Sequence, residues 1–283
     1  MGSKLEIDVL RALKAIQDTG GVSRAAEALS LSQSAVSHKI RRLEHNIGSE
    51  ILQRKAGSAL FTEDGQHLVE YAERIIEIHD EALAGINRQP LNGRIRLGLT
   101  EEMVTTGLAQ VLGRFNRIYP GVQIKTLVDQ SLGLQERLGN ASIDLAVMQV
   151  FKDEVREKDI VIREDRLLWV KSKAYQVPGS GDLPFISFDE NCFYRKWASA
   201  RFRNESKNLS VVLECASNEG VCSAVLAGIG VALIGERVLK SGMQDISDDF
   251  PDPPNLAFVI RCADNDPSTQ TAALSDEITL GLV

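Results

Sequence analysis

The sequence predicts an α/β protein in which a helical N-terminal region precedes a larger region of alternating strands and helices. Up to Ile86, apolar residues recur every three or four positions, which is the period of an α-helix. The segment 87–93 then interrupts this period with asparagine, proline and glycine. Beyond it, short apolar runs alternate with helical stripes, the pattern of a parallel sheet with crossover helices.

Length, charge and cysteine content restrict the class of protein further. A chain of 283 residues suits two or three domains. The formal charge is −7, yet residues 32–61 carry five basic side chains against two acidic ones, which favours one confined surface for phosphates. No Cys-x-x-Cys pair, signal-peptide core or membrane-length apolar run is present, so we expect a cytoplasmic protein with no metal, no cofactor and no membrane contact.

Two helices are predicted before residue 30. Apolar spacing predicts the first over 6–17, and Thr19-Gly20-Gly21 ends it. An alanine-rich segment predicts a short second helix over 23–29, with Ser23 as its capping residue. The small alanine side chains allow a close approach to the helix that follows.

A third helix begins after Ser32, whose hydroxyl suits helix capping. Its apolar face consists of residues spaced by four and three, namely Val36, Ile40 and Leu43. Only Ser30-Leu31 separate it from the second helix. Two short helices joined in this way are predicted to form a helix-turn-helix, whose second helix lies in the DNA major groove.

The outer face of the third helix carries hydroxyl, amide and guanidinium groups, which hydrogen-bond base edges and phosphates. A polar outer face is also typical of any surface helix, so this interpretation depends on the helix-turn-helix around it. The small residues of 54–61 then predict a wing whose basic side chains meet the DNA backbone. The candidate DNA-binding residues are Ser23, Ser32, Gln33, Ser34, Ser37, His38, Arg41, Arg54 and Lys55.

Residues 62–89 are predicted to form a linker helix that pairs with a second copy of the chain. Glu63 and Asp64 follow Thr62 and suit the first turn of a helix. A stripe at spacings of four and three predicts a coiled-coil seam made of Leu68, Ala72, Ile75, His79, Ala82 and Ile86. A single buried helix could show the same stripe, but the other faces of this segment are rich in charge.

The remainder alternates between strands and helices. Strands are predicted near 95–99, 122–128, 143–148, 166–170, 184–188, 209–214, 229–234 and 256–261, and helices near 104–118, 132–138, 193–197, 221–227 and 268–282. Gly228-Ile229-Gly230 is not a dinucleotide-binding motif, because it ends a helix and enters a strand. No motif of an enzyme is found, so we expect a protein without catalytic activity.

The N-terminal motifs resemble those of LysR-type transcriptional regulators over about sixty residues. The matching positions are Thr19-Gly20-Gly21, Ser23-Arg24-Ala25-Ala26, Leu29, Ser32 to Ser37, Ile40, Leu43-Glu44, Gly48, Arg54, Leu60-Phe61-Thr62 and Gly65. One departure is Ser34, where many members have proline. The resemblance implies a winged helix-turn-helix domain over 1–61, the linker helix over 62–89, and a two-lobed, periplasmic-binding-protein-like effector domain over 90–283.

Further properties are implied by the same resemblance. Lobe I would comprise about 92–161 plus 265–283, and lobe II about 162–264. The chain would regulate transcription by binding an operator of double-stranded DNA with dyad symmetry, under the control of a small-molecule effector. It would form a dimer through the linker helix and a tetramer through the effector domains, with RNA polymerase as a further partner.

An effector site is predicted beyond the carboxyl ends of the strands, where open α/β sheets bind ligands. The candidate residues are Thr100, Glu101, Glu102, Gln149, Cys192, Phe193, Tyr194, Ser217 and Asn218. Many effectors of the family are carboxylates, but Glu101 and Glu102 would repel an anion. The two glutamates therefore favour a neutral, polar or cationic effector, unless they are only surface residues that stabilise a helix.

Two alternative functions are open at this point. The position of Cys192 is similar to that of the reactive cysteine in peroxide-sensing members, which would make the protein a thiol redox-sensing regulator. Those members have a second cysteine further along, however, where this chain has Arg201. A buried structural thiol is the simpler interpretation of Cys192. The other alternative is a cytoplasmic protein that binds a small molecule without regulating transcription.

Overall fold

The computed structural model describes residues 5–53, 60–86, 90–202, 208–263 and 266–282. The chain divides into two compact units, Met1–Gln89 and Pro90–Val283. The first unit is helical, and the second contains two five-stranded sheets with helices. This architecture confirms the predicted fold class.

The described part of the N-terminal unit contains four helices: α1 (Ile7–Thr19), α2 (Val22–Ala28), α3 (Gln33–Ile47) and α4 (Glu63–Ile86). They share one apolar core, in which Leu10, Leu13 and Ile16 of α1 are fully buried. Ala25 and Ala26 of α2 are also buried, since short side chains let α2 approach its neighbours closely. The order of α2 and α3, joined by a short turn, is that of the predicted helix-turn-helix.

The cap of α3 is as predicted, but the cap of α2 is not. The Ser32 hydroxyl accepts a hydrogen bond from the Ala35 amide at 3.2 Å and so satisfies a free donor of the first turn. Gly48 ends α3 in the left-handed conformation, with φ of 76°, which glycine adopts at little cost. Ser23 lies inside α2, whose N-cap is Gly21 without a side-chain hydrogen bond, so its assignment as the cap was wrong.

The base of the predicted wing is an antiparallel bridge between Leu52 and Phe61. The Gln53 amide donates to the Leu60 carbonyl at 3.0 Å. Residues 54–59, including Arg54 and Lys55, lie outside the described residues. Gly65 in the first turn of α4 packs so close to this segment that a Cβ there would lie 2.2 Å from the Ile51 carbonyl oxygen.

Helix α4 packs on α1 with a face that differs in part from the predicted seam. Val69, Ala72 and Ile76 are buried in the core of the N-terminal unit, and Leu68 and Ile75 pack at its edge. Ala72 of the predicted seam is therefore internal to one chain, because α4 must cover the apolar face of α1. On a neighbouring face of α4, Tyr71, Ile78 and Ile86 are exposed, and Leu83, seven residues after the buried Ile76, is exposed as well.

The first sheet of the C-terminal unit has the order β2-β1-β3-β10-β4. Its strands are β1 (Gly93–Leu99), β2 (Val122–Val128), β3 (Leu145–Phe151), β4 (Ile160–Asp165) and β10 (Leu256–Cys262). The first three are parallel, as their helical connections predict, whereas β10 runs antiparallel to both β3 and β4. Strand β3 is buried along its whole length, in keeping with its unbroken apolar run.

The second sheet has the order β7-β6-β8-β5-β9. Its strands are β5 (Leu167–Ser172), β6 (Leu183–Ser187), β7 (Leu209–Glu214), β8 (Val231–Gly235) and β9 (Met243–Asp245). The helices of the unit are α5 (Glu101–Met103), α6 (Ala109–Ile118), α7 (Ser131–Gly139), α8 (Phe193–Phe202), α9 (Asn218–Leu226) and α10 (Thr269–Leu282). A π-helical turn over Val104–Leu108 joins α5 to α6.

The two sheets define two lobes with crossings at 165–167 and before 256. The predicted boundary of lobe II at 264 was therefore wrong, because β10 belongs to the first sheet. Its residues pair with β3 in register, from Leu256 opposite Phe151 to Cys262 opposite Leu145. We use lobe I for 90–165 plus 255–282, and lobe II for the residues between them. In the described part of the chain, no helix is both long and apolar enough to cross a membrane.

Candidate nucleic-acid interface and interlobe cleft

The outer face of α3 lies opposite its buried residues and is polar. Gln33, Ser34, His38 and Arg41 are exposed, and Ser37 is half-buried. These side chains follow one another along the first two and a half turns of the helix, and the N-terminal part of this helix contacts bases in a helix-turn-helix. The Ser34 hydroxyl lies 3.0 Å from that of Ser32, so the two hydroxyls share a hydrogen bond.

The basic side chains of α3 differ in what they contact. Lys39 lies 3.6 Å from Asp8, and Arg42 pairs with Glu6, so both are turned towards α1. Arg41, between them in sequence, has no carboxylate partner among the described residues. Its guanidinium therefore remains available to a phosphate or a guanine edge. Ser23 is exposed on α2.

Eight of the nine predicted effector-site residues line one cleft between the lobes. Lobe I contributes Thr100, Glu101, Glu102 and Gln149, and lobe II contributes Cys192, Phe193, Tyr194 and Asn218. The remaining cavity is about 20 Å³, enough for a single water molecule. Ser217 is not among the lining residues; its hydroxyl caps α9 by accepting a hydrogen bond from the Gly220 amide at 3.1 Å.

The sequence-based prediction missed two residues that line this cleft, and also Arg163, which contacts Glu102. Gln130 and Phe188 line it and lie within two residues of the ends of β2 and β6, so the rule that selected the other residues could have found them. Arg163 lies within β4, where no local pattern indicates a site. Its contribution arises only from the pairing of β4 at the edge of the first sheet.

The carboxylate of Glu102 connects the two lobes. Its Oε1 accepts a hydrogen bond from Arg163 Nη2 at 2.7 Å, and its Oε2 accepts one from Gln149 Nε2 at 2.5 Å. Asn218 Nδ2, in lobe II, lies 3.5 Å from the same Oε2. The Tyr194 hydroxyl, also in lobe II, donates to Gln149 Oε1 at 2.8 Å.

Glu101 makes a second contact between the lobes, because its Oε2 accepts a hydrogen bond from the backbone N–H of Asn218 at 3.3 Å. Both glutamates thus meet the N-terminal end of α9, where the helix dipole favours negative charge. They are not merely surface residues of α5, which was the simpler alternative for them.

Burial determines how the cleft side chains ionise. It raises the pKa of the Glu102 carboxyl above its ordinary value, although Arg163 and Gln149 act in the opposite direction. It also raises the pKa of the Tyr194 phenol well above the usual range, so this hydroxyl stays protonated and donates a hydrogen bond. The Thr100 hydroxyl is buried and has no hydrogen-bond partner among the described residues.

The surroundings of Cys192 do not favour a redox sensor. The residue is 2% exposed, and burial raises the pKa of its thiol to about 11. Since the thiolate is the reactive form, a thiol with this pKa reacts slowly at neutral pH. Cys192, Cys215, Cys222 and Cys262 are all free cysteines.

Comparison with known proteins identifies both units of the chain. A family model described as the LysR substrate binding domain matches residues 88–278. A second, described as a bacterial regulatory helix-turn-helix protein of the lysR family, matches residues 7–66.

Relatives match along almost the whole chain. The HTH-type transcriptional regulator DgdR of Burkholderia cepacia is 26% identical over 280 residues, which cover 98% of this chain and 95% of that protein. PecT of Dickeya dadantii (strain 3937), also an HTH-type transcriptional regulator, is 25% identical over 274 residues, or 96% and 86% of the two chains. The crystal structure of full-length BenM superposes with a TM-score of 0.51 at 17% identity, covering 98% and 96%, which shows a common fold. The protein is therefore a member of the LysR family of transcriptional regulators, which are DNA-binding proteins with an effector-binding domain and not enzymes.

Proposed function

We propose that the protein is a cytoplasmic, sequence-specific regulator that binds a dyad-symmetric operator through α3 and responds to a small molecule between its lobes. The observation that carries this proposal is the polar outer face of α3. On that face Arg41 is unpaired among the described residues, whereas Lys39 and Arg42 are engaged with α1. A helix that keeps one guanidinium free among exposed amide and imidazole groups suits base-edge contacts.

Different residues would supply affinity and specificity. Gln33, Ser37, His38 and Arg41 would contact base edges, since they lie on the outer face of α3. Ser23, Ser32 and Ser34, near the starts of α2 and α3, would contact phosphates. Arg54 and Lys55 are proposed from sequence to meet the DNA backbone, which would add affinity that depends on salt but not on sequence.

The dimer would form through α4. Its exposed apolar residues Tyr71, Ile78 and Ile86 lie on one side of the helix, at spacings of seven and eight. Isolated apolar side chains are common on protein surfaces, but a row of this length suits a partner helix. A tetramer bridged by the effector domains, and contact with RNA polymerase, are further proposals that rest on the family alone.

The effector would bind in the cleft that Thr100 and Glu101 line. The buried, unpartnered hydroxyl of Thr100 offers both a donor and an acceptor to a ligand. Carboxylates of Glu101 and Glu102 at the same place favour a neutral or cationic polar molecule. Binding would change the angle between the lobes by favouring one of two states.

Sequencing the DNA fragments bound by the protein in cells tests the proposed function. We expect the bound fragments to share a recurrent sequence with dyad symmetry. In gel-shift titrations, DNA with that sequence should stay bound at salt concentrations that release unrelated DNA. Binding that is equal for all fragments, and that disappears uniformly with salt, would contradict sequence-specific recognition.

A further inference from the structure

Among the described residues, three side-chain donors converge on Glu102 from both lobes, as donors converge on a bound carboxylate. Arg163 supplies a guanidinium, and Gln149 and Asn218 supply side-chain amides. A guanidinium and two amide groups around one carboxylate form the donor set that proteins use for carboxylate ligands. Here the carboxylate belongs to the chain itself.

Contacts that do not involve Glu102 hold these donors in place. The guanidinium of Arg163 lies 3.8 Å from the centre of the Phe258 ring. Gln149 accepts a hydrogen bond from Tyr194, which directs its amide nitrogen towards Glu102. Asn218 is the first residue of α9, whose start is fixed by the Ser217 cap. We therefore expect the donors to remain in position when the Glu102 side chain is shortened.

The Glu102 side chain fills the place that it occupies. Its exposed fraction is 12%, and only about 20 Å³ of cavity remains beside it. That space holds one water molecule but not a second carboxylate. A free carboxylate would have to compete with a tethered one, whose effective concentration is on the order of millimolar or higher.

We infer that Arg163, Gln149 and Asn218 form a carboxylate-binding site that Glu102 occupies as a built-in ligand joining lobe I to lobe II. This inference deepens the proposed effector site, because it gives a second reason why that site excludes carboxylates in the natural protein. Removal of the Glu102 carboxylate would open the donor set to small free carboxylates.

Chemical rescue of the full-length protein tests the inference. The variant Glu102→Ala empties the site, and sodium formate and sodium acetate serve as probes, with sodium chloride at equal ionic strength as the control. We expect acetate to raise the Tm of Glu102→Ala saturably, by about 2 to 4 °C at five times its dissociation constant. The wild type and Glu101→Ala, which both keep the Glu102 carboxylate, should respond to acetate as they do to chloride.

Two further variants make the result specific. Glu102→Gln keeps the place filled, so acetate should have no specific effect on it. Adding Arg163→Met to Glu102→Ala removes the guanidinium, so the rescue should disappear. If Glu102→Ala does not fold in chloride, its recovery of folded protein on refolding in acetate is measured instead, with the same expectation.

Equal effects of acetate on Glu102→Ala and on the wild type would overturn the inference, and so would the absence of any effect on Glu102→Ala. The measurement involves neither DNA nor an effector. Failure of the rescue would therefore leave the proposed regulator function intact, and failure of an effector screen would leave the carboxylate site intact.

Discussion

Arg41 and Arg42 are neighbours in sequence, but the structure gives them different tasks. Because Arg42 pairs with Glu6, we expect Arg42→Ala to change operator affinity little. Arg41→Ala should weaken specific binding by about 5- to 150-fold, the loss of ~1 to 3 kcal/mol for one base-edge contact. Fluorescence anisotropy titrations with operator and with unrelated DNA would measure both. Equal losses for the two variants would contradict the assignment of Arg41 to base contacts.

Glu102 should make stability depend on pH in an uncommon direction for a glutamate. Burial raises its pKa in the folded protein above the ordinary 4.5, despite the pairing with Arg163. The folded state therefore binds the Glu102 proton more tightly than the unfolded state does. The stability that this proton contributes is present below about pH 4.5 and is lost as pH rises through the higher pKa of the folded protein. The side chain at this position in the Glu102→Gln variant is an amide and does not titrate.

The difference in Tm, wild type minus Glu102→Gln, should consequently fall as pH rises from about 4 to 7. Because all other titrating groups are common to the two proteins, their effects cancel in this difference when both are measured at the same ionic strength. A difference that stays constant or grows with pH would show that pairing with Arg163, and not burial, dominates at this carboxyl.

The residues of the site that could be predicted are those with a local reason for their position. The carboxyl end of β1 locates Thr100, and the start of α9 after β7 locates Asn218, because the topology of an α/β sheet fixes that edge. Gln149 was predicted to follow its strand but lies two residues before the end of β3. Arg163 could not be found in this way, since its contact with Glu102 joins two residues 61 positions apart. Ser23 was misassigned because Gly21, one residue before the helix, supplies a cap that the pattern does not distinguish.

At the scale of elements, α4 presents two apolar faces, and a stripe in the sequence does not say which one is internal. We expect Ile78→Asp combined with Ile86→Asp to disrupt the α4 interface and halve the mass of the full-length assembly, because both side chains are exposed in the single chain. Ile76 lies in the core of the N-terminal unit, so Ile76→Asp should instead lower the Tm strongly, since it buries an unpaired charge.

Sedimentation velocity and thermal unfolding together separate these effects. In the double variant the mass of the assembly should fall while each chain stays folded. In Ile76→Asp the Tm should fall, while the mass measured well below that Tm stays that of the wild type. An unchanged mass for Ile78→Asp with Ile86→Asp would contradict the assignment of α4 as the dimer interface.

Strand pairing limits prediction at the same scale. The run Leu256 to Cys262 reads as a strand, and it is one. Its apolar pattern suits either sheet, however, and only non-local hydrogen bonds with β3 and β4 place it in lobe I. The lobe boundary therefore could not be derived from periodicity.

At the scale of the whole molecule, regulation requires that a ligand distinguish two arrangements of the lobes. Glu101 and Glu102 already join the lobes through Asn218. A ligand beside them gains or loses affinity according to how far it preserves these contacts. Thr100 is the group best placed to report on it, because its buried hydroxyl has no partner among the described residues.

Thr100→Val keeps the shape of the side chain and removes the hydroxyl. It should weaken effector binding by about 2- to 13-fold, corresponding to ~0.5 to 1.5 kcal/mol for one hydrogen bond, and leave ligand-free DNA binding unchanged. Thermal-shift screening with anionic, neutral and cationic metabolites identifies ligands, which are then titrated against both proteins. Thr100→Ser is the control, since it keeps the hydroxyl and should bind the ligand more tightly than Thr100→Val does. If only anions stabilise the wild type, the charge argument from Glu101 and Glu102 fails; if Thr100→Val binds every hit as the wild type does, the effector lies elsewhere.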